Sequence, residues 1–174
     1  MKRLILTLLV VTISFSLSSC FFGNLKSLNI DRDEYYANIR MEQLFKILSN
    51  KDKDGLKGLF SKKVLSEISN FDKTIDSLFS FIIGKPVSWD LYEADVVFDK
   101  SDDKGNSKRI SNLFSFDTDK QKYKIFLIDY PIDTIDPENC GLYSIRIYKT
   151  EENEFYYKAV THDDLDYSGI RVFG

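Results

Sequence analysis

The chain of 174 residues has one histidine, two cysteines and eight glycines, and each shortage excludes a class of chemistry. With only His162, a zinc site made of two or three histidines cannot be built. Three aspartates follow His162 closely, but no Gly-x-Ser-x-Gly turn presents a serine nucleophile, so we do not expect a catalytic triad. No Gly-x-Gly cluster is available to bind phosphate. The sequence therefore predicts neither a cofactor nor a metal.

The N-terminus is rich in apolar residues and ends in small ones. Lys2 and Arg3 precede a largely apolar run over residues 4–17, and Ser18 and Ser19 lead to Cys20. This order is typical of a secretory signal peptide. A membrane-spanning helix needs about 20 apolar residues, and this run is shorter. An uncleaved anchor helix is therefore the weaker alternative.

The four residues LSSC at 17–20 resemble the lipobox of bacterial lipoproteins, in which the cysteine receives a diacylglycerol and becomes the first residue of the mature chain. The resemblance implies a signal peptide at 1–19, a lipid on Cys20 and an extracytoplasmic domain attached to the cell membrane. Two acyl chains bind a bilayer stably, whereas one binds marginally. An ordinary signal peptide with an incidental cysteine is the alternative. Residues 20–32 show no period and would form the lipidated tether.

Cysteine and charge limit the mature chain further. Without residues 1–19 it carries 22 basic and 27 acidic residues, a formal charge of −5. Nucleic acid is not expected as a partner, because phosphate backbones are bound by clustered Lys and Arg. With Cys20 lipidated, Cys140 has no partner for an intrachain disulfide. We interpret Cys140 as a packed or turn residue; a reactive thiol is the alternative.

Helical periodicity fills the first half of the domain. Apolar residues recur at three and four over 33–51, a short helical piece covers 54–60, and Ser61 can cap a long helix that continues to residue 82. Gly84 and Pro86 end that helix. The pattern predicts three helices.

Extended segments fill the second half. Residues 89–98, 108–116, 122–130, 142–149 and 154–160 are rich in β-branched and aromatic side chains and are separated by turn residues. Strands that follow helices as a block indicate an α+β fold rather than a parallel sheet. We therefore expect one domain at 33–174, with three N-terminal helices packed on a curved antiparallel sheet of four to five strands.

Short motifs along this domain resemble those of a family of small lipoproteins, the domain-of-unknown-function family numbered 5104. The motifs are Asn50-Lys51-Asp52, Leu56, Phe60-Ser61, Phe71-Asp72, Ile75-Asp76, Gly84-Lys85, Ser88, Asp133, Pro137, Asn139 and Gly141-Leu142-Tyr143. The element order resembles the cystatin-like cone of the nuclear-transport-factor-2 superfamily. Members of that superfamily bind small apolar molecules between sheet and helices, dimerise through the outer sheet face or perform acid-base chemistry. The resemblance to these families implies a fold and an extracytoplasmic location, and it assigns no catalytic residue.

Aromatic and acidic residues in the predicted strands are the candidate site. We expect Trp89, Tyr92, Tyr123 and Asp129 to line a pocket between sheet and helices; ordinary core packing is the alternative. Alternation along 122–130 places Tyr123 and Asp129 on one face, although the preferred interpretation of Asp129 itself is a strand end in water. The expected function is non-catalytic binding of a small molecule or a protein. An acid-base enzyme using Asp129 and a self-associating structural lipoprotein are the alternatives.

Two acidic loops suggest calcium. The segment 99–110 has its glycine one position too late for an EF-hand and Ile110 in place of the bidentate Glu, so we interpret it as a hairpin turn. The segment 129–141 offers Asp129, Asp133, Asp136 and Glu138. A solvated loop is the preferred interpretation there, with a weak calcium site as the alternative.

Overall fold

The computed structural model describes residues 32–150, apart from the side chains of 96–99, and residues 166–173. Four helices come first: α1 Arg32–Asn50, α2 Lys53–Leu59, α3 Lys62–Glu67 and α4 Phe71–Phe81. The strands are β1 Pro86–Asp102, β2 Gly105–Thr118, β3 Lys122–Asp133, β4 Gly141–Lys149 and β5 Gly169–Phe173, with a 3₁₀ turn at Pro137–Asn139. The predicted α+β class is confirmed, whereas residues 1–31 and the expected strand at 154–160 lie outside the described part of the chain.

Helix α1 follows the predicted amphipathic pattern. Its buried stripe is made of Ala37, Met41, Leu44 and Leu48, spaced at three and four as one helical face requires. Each large apolar side chain removed from water here stabilises the fold by about 1.5–3 kcal/mol. No helix in residues 32–150 or 166–173 is long and apolar enough to cross a membrane.

The single long helix expected after Ser61 is wrong, because the structure has two helices there. The Ser61 hydroxyl caps α3 as predicted by accepting from Val64 N at 3.2 Å. Ile68 then takes extended dihedral angles, φ −104° and ψ 102°, and Asn70 precedes α4. Serine and asparagine side chains compete with helical hydrogen bonds, so the Ser69-Asn70 pair favours the break. The apolar spacing continues across it, which is why periodicity alone does not reveal it.

The five described strands form one open sheet in the order β1-β2-β3-β4-β5. The first three pairings are antiparallel, whereas β4 and β5 are parallel. The four predicted strands that the structure describes therefore pair antiparallel as expected, whereas β5 was not predicted and makes the sheet mostly rather than wholly antiparallel. Five residues without a long apolar run give β5 little local signal, and its place depends on pairing with β4.

Apolar side chains cover both faces of the sheet, as the pattern of β3 predicts. The helix side carries Tyr123, Ile125 and Leu127 of β3 with Phe114 and Phe116 of β2, all buried in the main core. The other face, called here the outer face, carries a smaller buried cluster of Leu113, Phe126 and Ile128.

Three contacts fix α1 along β2 and β3. Asp33 at the start of α1 forms an ion pair with Lys108, and Arg40 forms another with Asp129, whose register partner on β2 is Ile110. Further along, the rings of Phe45 and Phe116 meet edge to face with centroids 6.2 Å apart. Helix and strand numbers increase together through these contacts, so α1 follows β2 from its start toward its end.

The loop after β3 is organised by one buried carboxylate. Asp133 accepts from Ser107 Oγ at 3.0 Å, Asn139 Nδ2 at 3.1 Å, and the backbone N–H groups of Ile135 and Asp136 at 3.1 and 2.8 Å. Burial alone disfavours the charged form, but the four hydrogen bonds together outweigh it and lower the pKa of Asp133.

The acids of segment 129–141 do not converge on a common point. Asp136 accepts from Lys63 Nζ at 3.2 Å and Asp129 is bound to Arg40, while Asp133 serves its own loop. Within the described residues, no group of three His, Cys, Asp or Glu side chains is placed to hold a metal ion. The acids are therefore used separately, and because Asp129 and Asp133 are 1% and 4% exposed, the solvated loop expected for this segment is wrong for those two residues.

We predict that Asp133→Asn lowers the free energy of unfolding at pH 7 by about 2 kcal/mol, because hydrogen bonds to a charged acceptor are lost. The folded pKa of Asp133 is depressed, so its contribution is present above the unfolded value of about 3.9 and lost as pH falls through the folded value. Urea unfolding from pH 7 to pH 3 should therefore show the two proteins converging at low pH. A constant difference across that range would contradict the role of the charge.

Candidate functional site

The four residues expected to line a pocket do not form one site. Trp89 lies half-buried on the helix side, with its ring 5.9 Å from that of Phe114. Tyr92 is 64% exposed, and its ring lies 4.2 Å from the Lys124 ammonium, whose hydrogen bond to Ser115 belongs to the outer face. Residues three apart in a strand tend to face opposite ways, which separates Tyr92 from Trp89.

Tyr123 and Asp129 share the buried helix side, as predicted, but are six residues apart on β3. At about 3.3 Å per residue this separates them by about 20 Å. Trp89 belongs to the Tyr123 end, because Phe116 pairs with both in the sheet. Asp129 stands at the other end of the helix side.

The Tyr123 hydroxyl has a structural task. It donates to Phe81 O at 3.1 Å and accepts from Ile83 N at 2.8 Å, which ties the end of α4 to the sheet. Burial raises the pKa of Tyr123. The Tyr123 hydroxyl therefore uses its hydrogen bonds within the fold, and the Tyr123 end of the helix side is part of the packed core.

Asp129 is the centre of a polar group. It is 1% exposed, so the preferred interpretation from the sequence, a strand end in water, is wrong. The Arg40 Nε donates to Asp129 Oδ2 at 2.9 Å, and the Arg40 side chain keeps 18% of its surface exposed. Arg40 Nη1 also donates to Gln43 Oε1 at 3.2 Å. The pair thus runs from the surface of α1 to the buried sheet.

Asn112 completes the group from β2. It is also 1% exposed, and neither its amide oxygen nor its amide nitrogen has a hydrogen-bond partner in the described part of the chain. The second carboxylate oxygen of Asp129, Oδ1, is unpartnered within the same residues. Buried polar groups are nearly always hydrogen-bonded, and each one left without a partner costs about 1–3 kcal/mol.

Sheet register places these unpartnered atoms on one face. Asn112 pairs with Leu127 and Ile110 pairs with Asp129, so Asn112 and Asp129 are diagonal neighbours on the helix side. Such neighbours are about 7–8 Å apart. We call Arg40, Asn112 and Asp129 the polar cluster.

The polar cluster offers hydrogen bonds. Oδ1 of Asp129 and Oδ1 of Asn112 are acceptors, and Nδ2 of Asn112 is a donor with two hydrogens. The charges of Arg40 and Asp129 compensate each other. The arrangement is therefore suited to holding a polar group by directed hydrogen bonds.

Sequence reasoning found Asp129 and missed its two neighbours. Asn112 occupies an inward position in the alternating segment around Ile110 and Phe114, and a polar residue there is a usable signal. Arg40 lies next to the buried stripe of α1, between Ala37 and Met41, which is a weaker one. Their meeting depends on how α1 docks, and no local pattern encodes that.

Comparison with known proteins gives a family and no activity. Residues 43–152 match the family described as a domain of unknown function, DUF5104. The match covers the last eight of the 19 residues of α1, the other helices and β1 to β4, and includes Asn112 and Asp129 but not Arg40. No curated protein matches the chain.

We predict that Tyr123→Phe lowers the free energy of unfolding by about 1–2 kcal/mol, because Phe81 O and Ile83 N lose a shared partner. Tyr92→Phe is the matched control and should change it by less than about 0.5 kcal/mol, since that side chain is exposed. Urea denaturation followed by circular dichroism measures both. Equal effects in the two variants would contradict the assigned role of the Tyr123 hydroxyl.

We predict that Arg40→Met destabilises the protein by about 3 kcal/mol, because it leaves the Asp129 carboxylate buried without compensation. Adding Asp129→Leu to that variant should recover most of the loss. Lys46→Met is the control: it breaks the exposed ion pair with Glu42 and should cost no more than about 0.5 kcal/mol. A double variant less stable than Arg40→Met would contradict the compensation.

Proposed function

Since the chain belongs to the DUF5104 family, whose domain has no assigned role, we propose a function from the chain's own residues. It is a lipid-anchored, extracytoplasmic domain that binds a small molecule at the polar cluster without catalysing a reaction. Cys20 carries the anchor, and residues 20–32 form the tether. Both lie outside the described residues, so the address is supported by the LSSC motif alone.

One observation carries the binding proposal. Asn112 and Asp129 are buried on one face of neighbouring strands, and Asp129 Oδ1 and both polar atoms of the Asn112 side chain have no hydrogen-bond partner among the described residues. A domain that evolved only for stability would replace Asn112 with an apolar residue, because an unpaired buried amide is destabilising. A bound polar group removes that penalty. The unpartnered atoms are therefore best explained as binding atoms.

The fold also supports a binding site at the polar cluster. Helices packed on an open, mostly antiparallel sheet resemble the cystatin-like cone, in which small molecules bind between sheet and helices. The polar cluster lies in that layer, between α1 and β2–β3. The Arg40 side chain keeps 18% of its surface exposed, so it is the member of the polar cluster that lies nearest to solvent.

Two alternatives are less well supported. In an acid-base enzyme Asp129 exchanges a proton with substrate, whereas here the Arg40 guanidinium holds one of its oxygens as an ion pair. In a self-associating lipoprotein the outer face is open and apolar, whereas the apolar cluster described there, Leu113, Phe126 and Ile128, is buried and the exposed Tyr92 on that face stands beside the Lys124 ammonium. Binding at the polar cluster requires neither release of Asp129 from Arg40 nor exposure of the outer-face cluster.

Native mass spectrometry of the mature domain, purified from membranes of its own host, tests the binding proposal. We expect a co-purifying small molecule that is released on unfolding. The molecule should be lost in Asn112→Leu and retained in Tyr92→Phe. Recovery of folded domain with no bound molecule would reject a retained natural ligand, and a bound protein in its place would reject small-molecule binding.

We predict that the mature chain begins at Cys20 and carries a diacylglycerol, because the LSSC motif directs lipidation. Intact-mass analysis of membrane fractions should show the lipid mass, and globomycin should block processing. Cys20→Ala should shift the protein from the lipidated membrane form to an unprocessed or released one. A mature chain with a free Cys20 thiol in the soluble fraction contradicts the anchor.

A further inference from the structure

We propose that the group recognised by the polar cluster is a neutral primary amide carried on an apolar body. The inference rests on the proposed function, because it names the ligand class for the same site. Three properties of the polar cluster support it: its charge, its unused hydrogen-bond positions and the residues around them.

Charge requires a neutral ligand group. Arg40 and Asp129 are joined at 2.9 Å and cancel each other's charge. A cation or an anion placed beside them leaves one net charge buried next to Asn112, which is 1% exposed. Burying an uncompensated charge is far more costly than burying a neutral group that is fully hydrogen-bonded.

The unused positions match a primary amide. The Asn112 amide can pair with a second amide through two hydrogen bonds, donating from Nδ2 to the ligand carbonyl and accepting a ligand N–H at Oδ1. The remaining ligand N–H is then available to Asp129 Oδ1, the unpartnered carboxylate oxygen. One group thus satisfies the three atoms of the polar cluster that lack a partner in the described part of the chain. A secondary amide lacks the second N–H, and a carboxylate at neutral pH has no donor.

The distances allow one nitrogen to serve both acceptors. Asn112 and Asp129 are diagonal neighbours about 7–8 Å apart at the backbone, and their side chains extend toward the same face. An N–H···O bond spans about 2.9 Å, so a shared nitrogen bridges two oxygens about 5 Å apart.

The surroundings favour an apolar body behind the amide. Ile110 and Leu127 are the register partners of Asp129 and Asn112, and both are buried on the helix side. Ala37 and Met41 on α1 flank Arg40 in sequence and are fully buried. Small-molecule sites commonly combine an apolar lining with a few directed polar atoms, as here.

Benzamide, N,N-dimethylbenzamide and benzoate test the proposal as matched probes. They share the ring; the second lacks N–H donors and the third is charged. Titration of the mature domain with each, followed by NMR chemical shifts, should give benzamide an affinity at least about tenfold higher than either analogue, about 1.4 kcal/mol. Asn112→Leu should reduce benzamide affinity by a similar factor, with Tyr92→Phe unchanged.

The readouts separate binding from folding. Removing an unpartnered amide should leave the urea midpoint of Asn112→Leu equal or higher, whereas a residue needed only for structure would lower it. If that variant fails to fold, the comparison of the three probes on the wild-type domain still decides. Equal affinities for benzamide and its dimethyl analogue, or no binding of any probe, overturn the amide proposal.

Failure of this inference is distinguishable from failure of the proposed function. A co-purified molecule without a primary amide would leave binding at the polar cluster intact and reject the ligand class. Selective benzamide binding with no co-purified molecule would support the ligand class and reject a retained natural ligand.

Discussion

A carboxylate buried on an apolar sheet face must be compensated, and in this protein the compensation holds the first helix in place. Asp129 projects from β3 into the layer that α1 covers, and Arg40 reaches it from α1. Because an unpaired charge there would be strongly destabilising, α1 is restricted to positions that allow the contact. The Asp33–Lys108 pair and the Phe45–Phe116 contact follow the same alignment. Packing supplies most of the stability, and the ion pair selects where the packing occurs.

Local patterns were sufficient for the long elements and insufficient for the short ones. The stripe of α1 and the alternation of β3 gave both the element and its buried face, since each repeats its signal over several turns or pairs. The break at 68–70 was missed because the apolar spacing passes through it, and β5 because five residues carry little periodicity. Its parallel pairing with β4 depends on tertiary contacts that no local pattern contains.

The site shows the same division between local and tertiary information. Alternation identified Asp129 as inward-facing, and it also assigned Tyr123 to that face. Grouping Tyr123 with Asp129 in one site failed because they lie about 20 Å apart along the same strand. Knowing that two residues share a face says nothing about their distance along it. Arg40 and Asn112 belong to the site through helix docking and sheet register. A reader of sequence alone can find the polar exceptions in apolar patterns, but needs the fold to learn which of them meet.

Buried polar side chains in apolar segments can either weaken or strengthen the folded domain. Asn112 in an apolar strand position weakens the folded domain unless something satisfies its amide, whereas Asp133 strengthens it because four donors surround its carboxylate. The two buried polar side chains lie on neighbouring strands of one sheet, so solvent exclusion does not distinguish them. What distinguishes them is whether the chain supplies its own partners. Residues whose partners are missing from the described chain are the ones that selection for stability alone would remove, and the binding proposal at Asn112 rests on this reasoning.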